Sequence, residues 1–511
     1  MLQGRTLWEL MERRVDATPD ALMAVDEDMR TLTFAEHWAE AERAAAGLQA
    51  LGVRAGDVVS WQLPTWIESL VLVAALSRLD VVQNPLPPMH RDREVGSITG
   101  RAGTRLLVVP STWRGVDHEA MATAVAAANG DMRVLVADKA LPQGDPTLLP
   151  DRRHPGDEEQ PVRWLFATSG TTADPKVARH TDATLAAAAR GMSQRLALIE
   201  ADRNALVLPF TDIGGITWLF SSLQSGCSNI LVEAFDPDET PDVLSREGVT
   251  LAGAGTVFHR AYLAYQRRHV HPVFSNVRGF PGGGTPEPPS VVTEVRDLFD
   301  VPVLTGYGLT EAPVLTMADV SDTAAELASS DGKAVPGVEL RMVTPDGRVV
   351  DRGEEGEIRA RGPQVMVGYL DGSLDAEAFD QDGFLRTGDL GRLDEHGNLV
   401  VTGRIEDVIV RKGVHVSARE VEDLLVDHPK VADVAVIGLP DPDPDAGERV
   451  CAIVQPVDDG DPLSLDEIVA DLRDRGLAAG KLPEQLEVID LIPRTPAGKV
   501  LKHVLRDQYK G

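Results

Sequence analysis

The sequence predicts an α/β protein with a large N-terminal domain of layered α/β subdomains, a small β-barrel unit late in that domain, and a small α+β domain at the C-terminus. Apolar runs typical of strands alternate with helical segments over most of the chain before Gly337, an order that favours a mainly parallel sheet. Short β-type runs and tight turns then replace this alternation. After Gly403, helices and strands alternate again over enough residues for a separate domain. We therefore divide the chain into a large domain, residues 1–403, and a small domain, residues 404–511.

Apolar residues at helical spacing predict the helices, and short β-rich runs predict the strands. The first helix begins with a capping box, in which Thr6 is the N-cap and Glu9 follows three residues later. Gly52 ends the second helix. The predicted helices cover residues 6–14, 34–51, 67–79, 120–128, 183–198, 419–426 and 465–475. The predicted strands cover residues 58–63, 106–109, 134–136, 205–208, 230–232, 251–254, 301–304, 338–343, 357–361, 399–401, 431–437, 450–454 and 486–491.

Composition limits the classes of function. A chain of 511 residues is too long for one core, and 43% hydrophobic with 25% charged residues is ordinary for a globular protein. The formal net charge of −30 would repel nucleic acids and anionic membranes, and the apolar run 70–82 is too short and too polar to span a bilayer. Cys227 and Cys451 are isolated, and charges interrupt the N-terminus. We therefore expect a cytoplasmic monomer or homodimer without disulfides, zinc or a secretion signal.

A loop rich in glycine and hydroxyl groups follows the apolar run 164–167 and precedes the helix 183–198. Such residues cannot pack a core, but their N–H groups and hydroxyls can surround one anion, and a lysine adds positive charge. The spacing is not that of a Walker A loop, because Val177 stands where Ser or Thr would follow the lysine. The loop is therefore either a phosphate-binding site or a surface turn without a ligand. Its residues are Thr168, Ser169, Gly170, Thr171, Thr172 and Lys176.

Other stretches combine glycine with hydroxyl, aromatic or charged side chains, and each alone is more often a turn than a site. They are GFPGGGTP at 279–286, YGLTE at 307–311, RTGD at 386–389, GRIED at 403–407 and PRTPAGK at 493–499.

Together these motifs resemble one family, the acyl- and aryl-adenylate-forming enzymes, which include acyl-CoA synthetases, peptide-synthetase adenylation domains and firefly luciferase. The combination TSGTT…PK, YGLTE, GEI…GY, RTGD, GR.ED and PRT..GK is highly specific and spans nearly the whole chain. The resemblance is to the acyl-CoA ligase branch. It implies that ATP and a carboxylic acid form an acyl-adenylate and pyrophosphate, and that the thiol of coenzyme A then takes the acyl group. It also implies that the small domain is mobile and rotates between the two steps.

The resemblance further implies a role for each motif. The glycine-hydroxyl loop would hold the β- and γ-phosphates of ATP. The other implied ATP-site residues are Gly283, Gly284 and Thr285 along the adenine, Tyr307 stacked on it, Asp389 on the ribose with Arg404 nearby, Thr310 on the α-phosphate, Glu311 on Mg²⁺ and Lys499 completing the site. Glu406 would be the hinge. Gly413 would let the backbone approach a pantetheine arm, with a plain hairpin turn as the alternative.

The chemistry of adenylation accounts for these residue types. A carboxylate attacks the α-phosphorus, so two anions must meet without a competing nucleophile. Mg²⁺ prefers oxygen ligands such as Glu311 and phosphate oxygens. Lys499 would lower the barrier by positioning and electrostatics. No general base is needed, because a carboxylic acid is already ionised near neutral pH.

Asp212 departs from the family pattern, which commonly has His or an aromatic residue at this position near the acyl pocket and the thiol channel. A carboxylate beside an anionic substrate is unfavourable unless it has a partner. We therefore expect Asp212 to be paired, to be protonated, or to face an amino or hydroxyl group of the substrate. The alternative is that Asp212 lies on a solvent-open wall of the channel, where the substitution has no functional effect. Ala173, Ala418 and Lys502 are milder departures from frequent Gly, Pro and Arg.

Three functions remain open. The leading one is a stand-alone acid–CoA ligase that uses ATP, Mg²⁺ and coenzyme A on a small to medium acid, cyclic, aryl or branched. The second keeps adenylation but passes the acyl group to an amine or to a carrier-protein thiol, which would act in trans because no carrier domain follows. The third is a nucleotide-binding protein without catalysis, against which Glu311, Asp389 and Lys499 together argue. The expected acyl pocket contains Asp212, Gly214, Gly215, Gly282 and Gly308.

Overall fold

The computed structural model describes residues 1–151, 160–168, 175–285, 287–411, 414–443, 447–458, 460–461, 463–495 and 498–510. Its helices are α1 (Leu7–Ala17), α2 (Phe34–Ala50), α3 (Ile67–Arg78), α4 (Asp92–Ala102), α5 (His118–Ala128), α6 (Asp182–Arg195), α7 (Ile213–Ser225), α8 (Thr240–Arg246), α9 (Thr256–Gln266), α10 (Pro289–Phe299), α11 (Ala324–Ser329), α12 (Asp375–Ala378), α13 (Ala418–Leu425), α14 (Leu465–Asp474) and α15 (Lys502–Tyr509). Its strands are β1 (Leu22–Asp26), β2 (Thr31–Thr33), β3 (Val58–Trp61), β4 (Val82–Pro85), β5 (Leu106–Val109), β6 (Thr112–Trp113), β7 (Val116–Asp117), β8 (Arg133–Val136), β9 (Val162–Ala167), β10 (Val177–Thr181), β11 (Arg203–Leu206), β12 (Ser228–Leu231), β13 (Phe280–Gly282), β14 (Val303–Leu309), β15 (Ala312–Met317), β16 (Lys333–Ala334), β17 (Glu339–Val343), β18 (Gly356–Arg361), β19 (Leu385–Leu393), β20 (Leu399–Arg404), β21 (Val408–Arg411), β22 (Val414–Ser417), β23 (Val431–Pro440), β24 (Glu448–Pro456) and β25 (Gln485–Val488).

The largest sheet has six strands in the order β10-β9-β4-β3-β5-β8. All neighbours run parallel except β9 and β10, which confirms the predicted mainly parallel sheet. Helix α3 is buried along almost its whole length and shares the main core with Trp61 and Trp164. Because Ala167 at the end of β9 pairs with Val177 at the start of β10, the glycine-hydroxyl loop connects two adjacent antiparallel strands.

Two four-stranded sheets position the central motifs. In the first, β11, β12 and β1 are parallel and β2 is antiparallel, and the chain leaves β11 towards Asp212 at the start of α7. In the second, β13 and β14 are parallel, whereas β14 and β15 are antiparallel. The glycine-rich turn therefore begins at Gly282 on β13, and Thr310 and Glu311 occupy the turn between β14 and β15.

Strands β17, β18, β19 and β20 form the predicted β-rich unit, an antiparallel sheet in that order. In the described residues, β17 and β20 are its edges and do not pair with each other, so the unit is an open sheet where a β-barrel was predicted. Asp389 on β19 is directly opposite Arg404 on β20. Directly opposed residues on antiparallel strands have adjacent side chains, so the ladder places this carboxylate beside this guanidinium.

The C-terminal part of the chain has a β21–β22 hairpin and a three-stranded sheet, β23-β24-β25. Val421 of α13 and Ile468 of α14 belong to one apolar cluster of this part, and Leu505 of α15 belongs to another. This confirms the predicted small α+β domain, while the boundary after residue 403 and the domain's mobility stay predictions. Among the described residues, no helix is long and apolar enough to cross a membrane.

One predicted strand, residues 251–254, is wrong. This stretch forms isolated bridges only, such as those from Leu251 to Asn204 and from Ala254 to Gly282. Gly255 follows it with φ of +139°, a left-handed value that interrupts an extended ladder.

Candidate active site

A carboxylate, a phenol and a guanidinium meet between β14, β19 and β20. The Tyr307 hydroxyl donates to Oδ2 of Asp389 over 2.6 Å, and Nε of Arg404 donates to Oδ1 over 2.7 Å. Asp389 is buried. Burial and this neighbouring carboxylate raise the pKa of Tyr307 well above its ordinary value. The structure thus brings together three of the predicted ATP-site residues.

The remaining acceptor capacity of Asp389 fits a ribose. An ionised carboxylate has about four acceptor sites, and Tyr307 and Arg404 use one each. No other side chain in the described residues donates to this carboxylate. Two sites are therefore left, which suits two ribose hydroxyls.

Lys499 of the small domain joins the same cluster of charges. Burial and then the charge of Arg404 lower the pKa of its ammonium, whereas nearby carboxylates, including Asp389, act to raise it. Its neighbour Gly498 touches the large domain, where a Cβ on this glycine would stand 2.9 Å from the Val257 side chain. The small domain thus places Lys499 near the Asp389 carboxylate of the large domain.

A second group surrounds Glu311. The Tyr369 hydroxyl donates to Oε1 of Glu311 over 2.8 Å, and Nζ of Lys176 lies 5.4 Å from the centre of the Tyr369 ring. Within the described part of the chain, Oε2 of Glu311 has no hydrogen-bond partner. Sequence reasoning gave Tyr369 no role, although it is the tyrosine of the GEI…GY motif.

Glu311 fits Mg²⁺ that arrives with a phosphate ligand. Mg²⁺ usually binds one or two protein carboxylates and takes its other oxygens from substrate phosphates and water. Among the described residues, no cluster of three or more His, Cys, Asp or Glu side chains is arranged to hold a metal alone. A single carboxylate with one free oxygen therefore suits a magnesium–ATP complex better than a resident ion.

His180 forms a hydrogen bond to the turn that contains Thr310. Its Nε2 lies 2.9 Å from the Thr310 carbonyl oxygen, and its Nδ1 lies 3.0 Å from the Thr184 hydroxyl. Because a carbonyl can only accept, Nε2 carries a proton. Burial lowers the pKa of His180 to about 4, so the ring is neutral at physiological pH. No motif identified this residue.

A buried pair, His259 and Glu287, lies against the glycine-rich turn. Nδ1 of His259 is 2.9 Å from Oε2 of Glu287, and its Nε2 is 3.2 Å from the Pro281 carbonyl oxygen. The two side chains are 0% and 2% exposed, and Oε1 of Glu287 has no partner among the described residues. A Cβ on Gly282 would stand 3.2 Å from both side chains. Sequence reasoning missed this pair, since neither residue belongs to a motif.

The turn itself exposes backbone, as its predicted role along the adenine requires. Gly284 takes φ of +77°, and its Cβ position has no neighbour within 4 Å in the described structure. A Cβ on Gly283 would lie 3.2 Å from the Gly306 carbonyl oxygen, so this backbone approaches β14 closely. The Thr285 hydroxyl lies 3.4 Å from that of Thr256 at the start of α9.

Two glycines of the expected acyl pocket are required by packing instead. A Cβ on Gly215 would stand 2.8 Å from the Phe210 backbone, and one on Gly308 would stand 2.5 Å from the Val314 nitrogen. Main-chain atoms fill these spaces, so the two glycines leave no extra room, and their place in an acyl pocket stays a prediction. Gly214 has an ordinary contact distance of 3.5 Å.

The base of the glycine-hydroxyl loop is closed by a backbone hydrogen bond of 2.8 Å from Thr168 to Lys176. Several predicted site residues lie outside the described ranges, and their roles stay predictions. They are Ser169, Gly170, Thr171, Thr172 and Gly413.

At the predicted hinge, the neighbouring residues Glu406 and Asp407 form ion pairs with different partners. Glu406 pairs with Arg404 over 2.7 Å, and Arg404 also holds Asp389. The next residue, Asp407, pairs instead with Arg506 of the small domain over 2.7 Å. The Glu406 side chain thus binds Arg404 beside Asp389, while the Glu406 carbonyl oxygen and the Asp407 carboxylate both accept from Arg506 of α15. This arrangement suits a pivot at Glu406, which stays a prediction.

Asp212 is the N-cap of α7, but its side chain makes no capping bond. Among the described residues, its carboxylate has neither a hydrogen-bond nor an ion-pair partner. Although part of the side chain reaches solvent, its surroundings are mostly protein, and burial raises its pKa to about 7. Of the expected states, the paired one is not found in the described residues, and the protonated one has support.

We expect Asp212→Asn to stabilise the protein in a pH-dependent way. The native carboxyl holds its proton more tightly than the unfolded chain, so wild-type stability falls as pH rises from about 4 to about 7 and then levels off. The variant lacks this loss. Because partial exposure screens the charge, we expect a gain in unfolding free energy of about 1–2 kcal/mol at pH 8 and almost none at pH 4.5.

The measurement is urea unfolding of both proteins across this pH range, with Asp16→Asn as a control that removes an exposed carboxyl on α1. A gain independent of pH, or an equal gain in the control, would contradict the burial of Asp212.

Comparison with known proteins agrees with this geometry. A family model described as AMP-binding enzyme matches residues 11–370, and one described as AMP-binding enzyme C-terminal domain matches residues 420–499. The chain is 30% identical to the medium-chain fatty-acid–CoA ligase of Escherichia coli (strain K12), over 98% of this chain and 90% of that protein. It is 32% identical to the salicyl-AMP ligase / salicyl-S-ArCP synthetase of Mycobacterium tuberculosis (strain ATCC 25618 / H37Rv), over 98% and 90%.

Among solved structures, ATP-bound MatB from Rhodopseudomonas palustris is similar, with a TM-score of 0.88, 27% identity, and 99% of both chains covered. The fold and both domains therefore have counterparts along nearly the whole chain. Taken with the site, these matches show that the chain belongs to the AMP-binding enzymes and is an adenylate-forming acid ligase.

Proposed function

We propose that this ligase is an AMP-forming acid–CoA ligase. The observation that supports this most directly is the position of Lys499, which extends from the small domain into the charge cluster of Asp389 and Arg404. A cation delivered by a separate domain can serve one step of a reaction and withdraw for the next.

In the first step, a carboxylate oxygen of the acid bonds to the α-phosphorus of ATP, and the bond to the pyrophosphate oxygen breaks. Asp389 and Tyr307 would orient the nucleoside through the ribose and the base. Lys499 would neutralise the approaching carboxylate and the α-phosphate. Mg²⁺ would supply charge neutralisation to the departing pyrophosphate, held by Glu311 with Lys176 close by.

In the second step, a thiol sulfur bonds to the acyl carbon, AMP leaves with the bonding electrons, and the thiol proton passes to solvent. Lys499 has no role once pyrophosphate has gone. The pair between Arg404 and Glu406 would break as the small domain turns about Glu406, and the loop containing Gly413 would then border the thiol channel.

The acid is proposed to be small to medium, cyclic, aryl or branched. The similarity to a medium-chain fatty-acid ligase and to a salicyl-AMP ligase supports testing both acid classes. A partly protonated Asp212 supports acids that carry a hydroxyl or amino group. This last argument fails if Asp212→Ala and the wild type turn over an acid without such a group equally well.

A second candidate changes the acceptor to the thiol of a carrier protein. The observation that favours it is the 32% identity to a salicyl-AMP ligase / salicyl-S-ArCP synthetase. Both candidates predict the same adenylation site and differ only in the thiol that accepts the acyl group.

The test is a mass-spectrometric screen of purified protein with ATP, Mg²⁺ and a panel of acids, with and without CoA. The panel contains medium-chain fatty acids, benzoate, salicylate and anthranilate. Acyl-CoA that forms only with CoA supports the proposal and identifies the acid class. Acyl-AMP that accumulates equally with and without CoA moves the assignment to a carrier protein or an amine. Absence of both products for every acid contradicts the proposal.

A further inference from the structure

Tyr369 connects Glu311 with Lys176, two predicted residues of the metal and pyrophosphate region. We propose that Tyr369 is a positioning residue for this region. Its hydroxyl orients Glu311 and leaves Oε2 fully open to Mg²⁺, and its ring supports the Lys176 ammonium. The proposal rests on the proposed function, because it takes Glu311 as the magnesium ligand.

The backbone at Tyr369 is attached to β10, the strand that follows the glycine-hydroxyl loop. Tyr369 forms an antiparallel bridge with Ala178, and the Arg179 N–H donates to the Gly368 carbonyl oxygen over 3.0 Å. The Tyr369 N–H donates to Asp375 over 2.7 Å. Gly368 has φ of +127°, and a Cβ there would lie 2.6 Å from the Asp375 carboxylate. These hydrogen bonds hold the Tyr369 backbone against β10, close to the end of the glycine-hydroxyl loop.

The Tyr369 hydroxyl decides which oxygen of Glu311 is available. A phenol has one proton, and here it is donated to Oε1 over 2.8 Å. The Met366 N–H also donates to the backbone carbonyl of Glu311 over 2.8 Å, so both ends of this residue are held. Oε1 therefore keeps one acceptor site and Oε2 keeps both, so Oε2 is the more open oxygen of Glu311 for a metal. Outer groups that hydrogen-bond to a metal ligand in this way orient it and tune its affinity.

The Tyr369 ring contacts the Lys176 ammonium without neutralising its charge. The ammonium lies 5.4 Å from the ring centre, within the range of a cation–π contact. Tyr369 is 6% exposed and Lys176 is half-buried, so the contact is only partly open to water. No carboxylate in the described part of the chain pairs with Lys176. Its charge thus remains available for a phosphate.

Tyr369→Phe removes the hydroxyl and keeps the ring. We expect the Mg²⁺ concentration for half-maximal, acid-dependent pyrophosphate–ATP exchange to rise about 10-fold. The dissociation constant of Mn²⁺ in the presence of ATP, measured by electron paramagnetic resonance, should rise by a similar factor. Because the ring still supports Lys176, binding of metal-free ATP should change by less than about 2-fold. The KM for the acid should stay at its wild-type value.

Two controls separate positioning from a general loss of packing. Tyr265→Phe removes a similar bond, from a tyrosine on α9 to Asp242 over 2.6 Å, and should change none of these values. In a Glu311→Gln background, Tyr369→Phe should add nothing to the loss of Mn²⁺ affinity, because it acts through Glu311.

Wild-type Mn²⁺ affinity in Tyr369→Phe, or an equal loss in Tyr265→Phe, overturns the proposal. So does a wild-type protein that fails to bind Mn²⁺ with ATP. If the wild type binds Mn²⁺ and ATP but shows no acid-dependent exchange, the proposed function fails, and the Mn²⁺ measurements alone decide the role of Tyr369.

Discussion

Lys499→Ala is expected to slow acyl-adenylate formation by about 10²–10³-fold, the usual loss when one electrostatic stabiliser of a transition state is removed. The lysine is half-buried near Asp389 and Arg404. Its charge therefore acts on the reacting groups with less screening than a fully exposed lysine would have. The second step starts from the acyl-adenylate, after pyrophosphate has left. The rate of thioester formation should therefore change by less than about 3-fold.

The two steps can be measured separately on one preparation. Pyrophosphate–ATP exchange reports adenylation, and addition of synthetic acyl-adenylate with CoA reports thioester formation. Lys510→Ala removes an exposed lysine at the end of α15 and should leave both rates unchanged. Equal losses in both steps for Lys499→Ala would mean that the small domain is disturbed as a whole, and an unchanged exchange rate would exclude Lys499 from the reaction.

Local signals predicted much of the fold. The Thr6 hydroxyl accepts from the Glu9 N–H at the start of α1, as the capping pattern requires. The alternation of strands and helices correctly indicated that the largest sheet is mainly parallel. Tyr307 and Asp389 are 82 residues apart, and no periodicity connects them. Only the resemblance to a family predicted that these two side chains lie in the same site.

Elements without a local period escaped prediction. Helix α7 is buried on nearly every side, since all but two of its residues are inaccessible or nearly so. A helix that is buried all round has no charged, exposed face, and therefore no clear amphipathic repeat to detect. Its only clear boundary signals are Asp212 before it and Gly226, with φ of +89°, after it.

Residues that act through other residues also escaped prediction. His180 reaches Thr310 across 130 positions of the sequence, and Tyr369 reaches Glu311 across 58. His180 lies on β10, whose pattern is explained by packing, and Tyr369 forms an isolated bridge to that strand. Only the three-dimensional arrangement distinguishes them from ordinary core residues, because their partners come from other sheets.

The pair of His259 and Glu287 leads to the second large expected effect. The Pro281 carbonyl can only accept, so Nε2 of His259 carries a proton. Nδ1 lies 2.9 Å from Oε2 of Glu287, so the two atoms form a hydrogen bond inside the protein. Removing one partner leaves the other desolvated and unpaired, which typically costs about 3–5 kcal/mol. We therefore expect His259→Leu to lower the unfolding free energy of the large domain by about this amount.

A double variant makes this prediction specific to the pair. If both groups are replaced by apolar residues of similar size, as in His259→Leu with Glu287→Met, no charge remains buried, and most of the lost stability should return. Tryptophan fluorescence can follow the unfolding, because all seven tryptophans lie before residue 219 and report on the large domain alone. A double variant as unstable as His259→Leu would show that the histidine contributes through its shape. A loss below about 1 kcal/mol in the single variant would show that Glu287 finds another partner, and the turn at Gly282 would then not depend on this pair.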